Sequence, residues 1–315
     1  MNNLLVLAFS MNRAAQLDLM LRSYRLHMGP SAPPVVVLYK CTGTYLHQET
    51  YGMVARENPL TVWIREKEGK FGQQVVRLLE DAAHVLFLVD DTVFTRELPF
   101  VKEVHVCRDC STGAMGPGTM GAWTEAVGAG GLTGAVAQLR DERILGVSLR
   151  LGKNTTICYP EGDKPQKVPH MLWDDGWCTF DWTEAKLDFA YPLELSSSIY
   201  RTADILAAIK QMPGLPPNPN RFEYWLSLCK DSFANRPWPA LSSKHLVCPQ
   251  TSAAFSNPMN KVQTTYNNRS GDISPDEMAQ QFALGQRLDL EQFNGFVSTG
   301  CHQYVEPRWV ERERV

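Results

Sequence analysis

Val85-Leu86-Phe87-Leu88-Val89-Asp90-Asp91-Thr92-Val93-Phe94 runs five apolar residues straight into two adjacent acids. An unbroken apolar run of this length reads as a strand buried on both faces, as in the middle of a parallel sheet. Folding alone gives no reason to end such a strand on paired carboxylates, because like charges repel and burial strips their water. In open α/β sheets, ligands bind beyond the carboxyl ends of the strands. Two acids there suit Mg²⁺ or Mn²⁺ bridging protein oxygens to a phosphate-bearing ligand. The competing reading is an acidic turn that hydrogen-bonds a following helix.

Working outward, the first ninety residues alternate strand and helix. Residues 4 to 9 read as a buried strand, and Asn12 opens a helix with Leu17, Met20, Leu21, Tyr24 and Met28 at helical spacing. Gly29-Pro30 ends it. Residues 35 to 39 and 61 to 64 read as two further strands. A second helix presents Val75, Leu78, Leu79 and Ala82 before the acidic strand. This rhythm predicts a doubly wound, mostly parallel sheet. Residues 104 to 140 are rich in Gly, Ala, Ser and Thr and read as an insertion. They include Gly128-Ala129-Gly130-Gly131-Leu132-Thr133-Gly134, superficially a dinucleotide turn but without a strong preceding strand or an acid about twenty residues on. Strand character returns at 144 to 151, followed by an aromatic stretch from Trp173 to Tyr191, compatible with sugar stacking or with core packing. Trp173-Asp174-Asp175-Gly176-Trp177 reads as a turn. Helices follow at 202 to 212 and 220 to 232, with Asn220-Arg221-Phe222-Glu223 spaced as a capping box. Ser274-Pro275-Asp276-Glu277 opens another, closed by Gly285. The asparagine-rich residues 255 to 273 between them read as a disordered loop or a lid.

Composition narrows the function classes. The chain has 315 residues, a formal net charge of −3 and no long charge runs, which argues against a general nucleic-acid binder, a class expected to show a basic face. Eight scattered cysteines do not form a disulfide framework, and Cys107-Arg-Asp-Cys110 has no second pair to complete a zinc site. No apolar stretch approaches a membrane span, and the short N-terminal run is no signal peptide. A cytoplasmic protein is expected. Oligomeric state is not readable.

These features together resemble a GT-A-type nucleotide-sugar glycosyltransferase, family 2-like, of a bacterial subgroup. The likeness rests on Phe9-Ser10-Met11-Asn12-Arg13 after the first strand and on Val89-Asp90-Asp91, similar to a D-x-D motif. It also rests on Thr92 to Leu98, on Tyr191-Pro192-Leu193 through Thr202, on Asn218-Pro219-Asn220, and on Asn260-Lys261-Val262-Gln263 with Asn267-Asn268-Arg269. Where many relatives place a base-holding acid after the second strand, this chain has Tyr39-Lys40-Cys41-Thr42.

The resemblance implies a GT-A-like fold with a Rossmann-like nucleotide half (1–103), a Gly/Ala-rich insertion (104–143), a mixed acceptor half of the same domain (144–254) and a closing loop with a C-terminal helical segment (255–315). It implies transfer from a nucleoside-diphosphate sugar, UDP first, to an unknown hydroxyl acceptor, by inversion, with Mn²⁺ or Mg²⁺. Asp91, Asp90 and His302 are then the metal ligands; Ser10, Arg13, Lys40, Asp90, Lys261 and Arg269 hold the nucleotide. Glu194, Asp188 and Glu223, in that order, are candidates for the general base. Arg150 and Lys153 could line the donor sugar or the acceptor. Three other functions compete: an NAD(P)-dependent oxidoreductase using the 128–134 turn, a non-catalytic sugar-binding protein, and a nucleotide-sugar pyrophosphorylase, the last disfavoured because no glycine lies between Phe9 and Arg13.

Overall fold

The computed structural model describes residues 3–99, 130–235, 243–260 and 270–312. In chain order the elements are β1 (Leu4–Met11), α1 (Ala14–Met28), β2 (Val35–Lys40), α2 (Tyr45–Glu57), β3 (Val62–Arg65), α3 (Phe71–Glu80), β4 (His84–Val89) and β5 (Thr92–Phe94). Next come α4 (Gly131–Gln138), β6 (Ile144–Ser148), β7 (Ile157–Cys158), β8 (Lys164–Pro165), β9 (Leu172–Asp174), β10 (Trp177–Asp181), β11 (Ser198–Arg201) and α5 (Thr202–Gln211). The chain closes with α6 (Pro219–Ala234), β12 (His245–Pro249), β13 (Ala254–Ser256), α7 (Pro275–Ala283), β14 (Gln286–Leu288) and β15 (Trp309–Glu311).

Nine strands form one sheet in the order β3-β2-β1-β4-β11-β6-β12-β10-β9. The first four pair in parallel, β11 runs antiparallel to both its neighbours, β6 and β12 are parallel, and β10 and β9 complete an antiparallel edge. The expected doubly wound sheet is therefore present, with a parallel half, β3-β2-β1-β4, and a mixed remainder. Its double winding is visible in the alternation of side chains along the central strands. Val6, Ala8, Leu86 and Leu88 face a core shared with α1, α2, α4 and α7, while Leu7, Phe9, Val85 and Phe87 face one shared with α3, α5 and α6. The strand from 85 to 88 is fully buried, as its apolar run requires.

Several local expectations are revised. Asn12 does not open α1; it adopts φ 57°, and the helix begins at Ala14 behind Arg13. Helix α2 was not apparent in the sequence because its buried face is small and polar, His47, Thr50, Tyr51 and Val54. At α6 the cap is Asn218, whose side chain accepts from the Arg221 amide, so Glu223 lies one turn inside the helix and is not the partner in a capping box. The Ser274–Glu277 capping box is formed as expected, and Gly285 follows α7 at φ 91°. Residues 255 and 256 of the supposed loop belong to β13, paired with β5, and Asn257 and Asn260 are buried. Asp175-Gly176 turns the β9–β10 hairpin. Residues 104–129, with Cys107 and Cys110, and the stretch with Lys261 and Arg269 lie outside the described residues. From Gly130 onward the glycine-rich stretch enters α4.

Candidate active site

Strands β1 and β4 lie side by side in parallel, pairing Phe9 with Val89, so both end at the same edge of the sheet. The Asp90 amide donates to the Phe9 carbonyl at 3.1 Å, and the two acids turn the chain into β5. A cavity of about 460 Å³ opens there. Its walls come from the ends of β1, β2 and β4, from Glu66 after β3, from the first turns of α3 and α6, and from Ser256, Pro258, Asn260 and His302.

The two aspartates are not equivalent. Asp90 Oδ2 accepts from Ser10 Oγ at 2.9 Å and from the Met11 amide at 3.2 Å, while Oδ1 meets Arg13 Nη1 at 3.1 Å. It thus ties β1 to β4. Asp91 Oδ2 lies 3.5 Å from the same guanidinium nitrogen, whereas its Oδ1 is buried without a hydrogen-bond partner. Burial pushes Asp91 up to about 6, with the Asp90 charge adding to the rise and Arg13 and a hydrogen bond from the Ser256 side chain opposing it. Arg13 is held over the pair by its Nη2, which donates to the Asn260 carbonyl at 2.7 Å. Tyr51 supports this end of β1, its hydroxyl 2.5 Å from Ser10 Oγ and accepting from the Arg13 amide.

On the opposite wall Glu223, from α6, takes the Leu195 amide on Oε1 at 3.3 Å. Burial raises it to about 7; Arg150 opposes the rise, and Glu194 and Asp91 reinforce it. Beneath this wall lies a closed polar network. Glu194 is 1% exposed and accepts from the Ser196 amide and hydroxyl, the Ser197 amide and the Ser198 hydroxyl. Its counter-ion is Arg150, with Nε at 3.6 Å. Burial would lower Arg150, but Glu194 and the neighbouring acids hold it above its ordinary value. Asp188 is likewise buried, raised by desolvation, and bonded by Gln166 Nε2 at 2.9 Å and Cys158 Sγ at 3.4 Å.

Of the residues expected from the sequence, Ser10, Arg13, Lys40, Asp90, Asp91, Glu223 and His302 line one cavity. Glu194 and Asp188 do not; both carboxylates are occupied by the fold behind it. Arg150 is buried in that network too, so it is not an open wall residue. Glu66 was missed. It follows the third strand, not the second, where such an acid was expected. Because Tyr39 pairs with Arg65, Glu66 stands beside Lys40, their side chains 3.4 Å apart. An acid directly after the β3 run was the available signal.

Among the described residues no group of three His, Cys, Asp or Glu side chains converges on a metal position. The unpartnered Asp91 Oδ1 is a hard oxygen donor of the kind a divalent cation takes. His302 Nε2 lies 3.4 Å from Arg150 Nη1, and burial with that cation lowers the imidazole to about 3.

No protein-family model and no curated protein matches the chain. Solved structures do. Staphylococcus aureus TarS 1-349 in complex with UDP is 14% identical, with 87% of this chain and 62% of that chain covered and a TM-score of 0.43. The mannosyltransferase PcManGT from Pyrobaculum calidifontis, in complex with GDP-Man and Mn²⁺, is 10% identical over 79% and 57%, TM-score 0.35. A cytidylyltransferase from Leptospira borgpetersenii is 10% identical over 73% and 72%, TM-score 0.37. The chain spans 38% to 62% of the TarS chains it matches. At these identities and TM-scores neither a residue role nor an activity is taken from them.

Proposed function

We propose that the chain is a glycosyltransferase moving a sugar from a nucleoside-diphosphate sugar to a hydroxyl acceptor by inverting displacement. The observation that carries this reading is the pairing, in one cavity at the carboxyl end of the central strands, of Asp91 with an unpartnered buried oxygen and Glu223 raised to about 7. A phosphate-binding acid site and a poised general base are what such a transfer requires. Arg13, Ser10 and Asp90 hold the phosphate and ribose end of the nucleotide. The nucleobase would lie among Phe9, Leu38 and Phe71, with Glu66 accepting from a ring N–H and Lys40 donating to the adjacent carbonyl. Uracil, thymine and guanine offer that pair, whereas adenine and cytosine carry no ring N–H beside a carbonyl. UDP remains the first choice.

Ionised Glu223 takes the acceptor hydroxyl proton as that oxygen bonds the sugar's anomeric carbon. The bond from that carbon to the phosphate oxygen breaks, and the diphosphate leaves with its electron pair. Arg13 offsets part of the charge that develops there. Asp91 would hold Mg²⁺ or Mn²⁺, which supplies Lewis-acid neutralisation of the leaving diphosphate when bound. Placing the acceptor against Asn218, Asn220 and Tyr224 follows from their position beside Glu223 at the cavity wall. Among the described residues no helix is long and apolar enough to cross a membrane.

A thermal-shift screen of UDP, GDP, TDP, CMP and NAD, each with and without Mn²⁺, tests the reading on wild type and Asp91→Asn. A ligand that binds only the folded state raises the melting temperature. Metal-dependent stabilisation by one nucleoside diphosphate, lost in the variant, is expected. Stabilisation by NAD alone would overturn the transferase reading.

A further inference from the structure

The geometry points to His302 as a hydrogen-bond donor to a phosphate oxygen, held in its Nδ1–H form by Arg150, and not as a metal ligand. This rests on the diphosphate reading of the cavity. A guanidinium has donors only. With Arg150 Nη1 at 3.4 Å from His302 Nε2, the imidazole must turn a lone pair toward the arginine, and its single proton then resides on Nδ1. A proton on Nε2 would set two donors face to face.

Arg150 has little freedom to yield. It is 3% exposed, its Nη1 also donates to Ser196 Oγ at 2.9 Å, and its Nε faces Glu194 at 3.6 Å. Its carbonyl accepts from Cys301 Sγ at 3.7 Å, anchoring the residue next to His302. Ser196 Oγ in turn donates its hydroxyl hydrogen bond to Glu194 Oε2 at 2.5 Å. Every polar contact from Glu194 through Ser196 and Arg150 to His302 therefore has a fixed direction, and Nδ1–H is left at the end of the chain.

That nitrogen is buried without a partner, as is Asp91 Oδ1. Both residues line the cavity, and Ser256 connects them: it bridges His302 in the backbone, and Asn257, the residue after it, donates its amide to the Asp91 carbonyl at 2.8 Å. A metal-bound histidine normally gives its second N–H to a carboxylate or carbonyl, which raises its basicity. Here the second nitrogen meets a cation, which does the reverse and also repels a metal. The two unpartnered atoms instead ask for different things, a positive group at Asp91 and an acceptor oxygen at His302. A diphosphate carrying its cation supplies both. Nδ1 is buried in the ligand-free site, so the contact forms as the wall adjusts to ligand.

Nitrogen-15 NMR of histidine-labelled protein, with His302 assigned by difference from His302→Asn, tests the tautomer without any ligand. A neutral ring protonated on Nδ1 is expected from pH 5 to 8; an Nε2–H ring would overturn the inference. Calorimetry with UDP and Mn²⁺ then compares two variants whose folding is checked by melting temperature. Asparagine places an amide N–H near the position of Nδ1, whereas alanine removes the donor. Loss of a hydrogen bond to a charged oxygen predicts weaker UDP binding by about tenfold or more in His302→Ala. His302→Asn should stay near wild type, with the Mn²⁺ midpoint unchanged in both. Equal loss in both variants with a raised Mn²⁺ midpoint would restore the metal-ligand role. If wild type binds no nucleoside diphosphate, the transferase reading falls and the phosphate contact with it, while the spectrum still decides the tautomer.

Discussion

Glu223 and Glu194 show how differently two carboxylates of one neighbourhood are employed. Glu223 carries one backbone hydrogen bond and faces the cavity, so its charge is little compensated and burial raises it to about 7. As the base it must be ionised, so transfer should rise with pH through that region and level off above it. Replacing it with glutamine should remove the rising limb and lower kcat by roughly 10² to 10⁴, measured as a pH–rate profile for both proteins. Glu194 has four donors and a buried arginine. Its replacement by alanine leaves Arg150 buried without its counter-ion and should cost about 3–5 kcal/mol of stability, read from denaturant unfolding. The sequence could not rank these acids. Ser196 to Ser198 carry no titratable side chain, and in the fold those serines are what satisfies Glu194.

At the scale of elements, the site depends on how helices meet the sheet edge. Helix α3 starts against the segment before α6, and a Cβ on Gly72 would stand 2.7 Å from the Pro216 carbonyl and 2.8 Å from Leu215 Cβ. Backbone cannot give way as a flexible side chain does. Gly72→Ala should therefore cost about 1–3 kcal/mol. Because Phe71 and Pro217 line the cavity, nucleotide affinity should fall as well, and melting curves with and without UDP check both effects. The helices with strong apolar periodicity, α1 and α3, could be read from sequence, as could the helix α6. The exact start of α6 could not, since Asn218 and Asn220 are both plausible caps and only the first bonds the Arg221 amide. That two-residue difference removes Glu223 from a cap and gives it to the cavity.

Across the whole molecule, burying uncompensated acids makes stability depend on pH. Asp91 rises from 3.8 to about 6 and Glu223 from 4.5 to about 7. The folded state then binds more protons than the unfolded chain between these values, so stability is greatest below the unfolded values and falls as pH rises through the folded ones. The melting temperature should drop between pH 5 and pH 8. Glu223→Gln should flatten that fall by on the order of 1 kcal/mol, after allowing for the partial exposure of the site. The alternation of strands and helices, the buried central strand and the acid pair at its end were legible in the chain alone, because periodicity and apolar runs are local properties. Which acids are free to act depends on the folded neighbourhood. Glu66 reaches Lys40 only through strand pairing, Glu194 is consumed by Arg150 from another strand's end, and His302 receives its tautomer from that same arginine across 152 residues of chain. Compensation of a buried charge is a non-local quantity, set by what the fold brings within a few ångströms, and no local pattern encodes it.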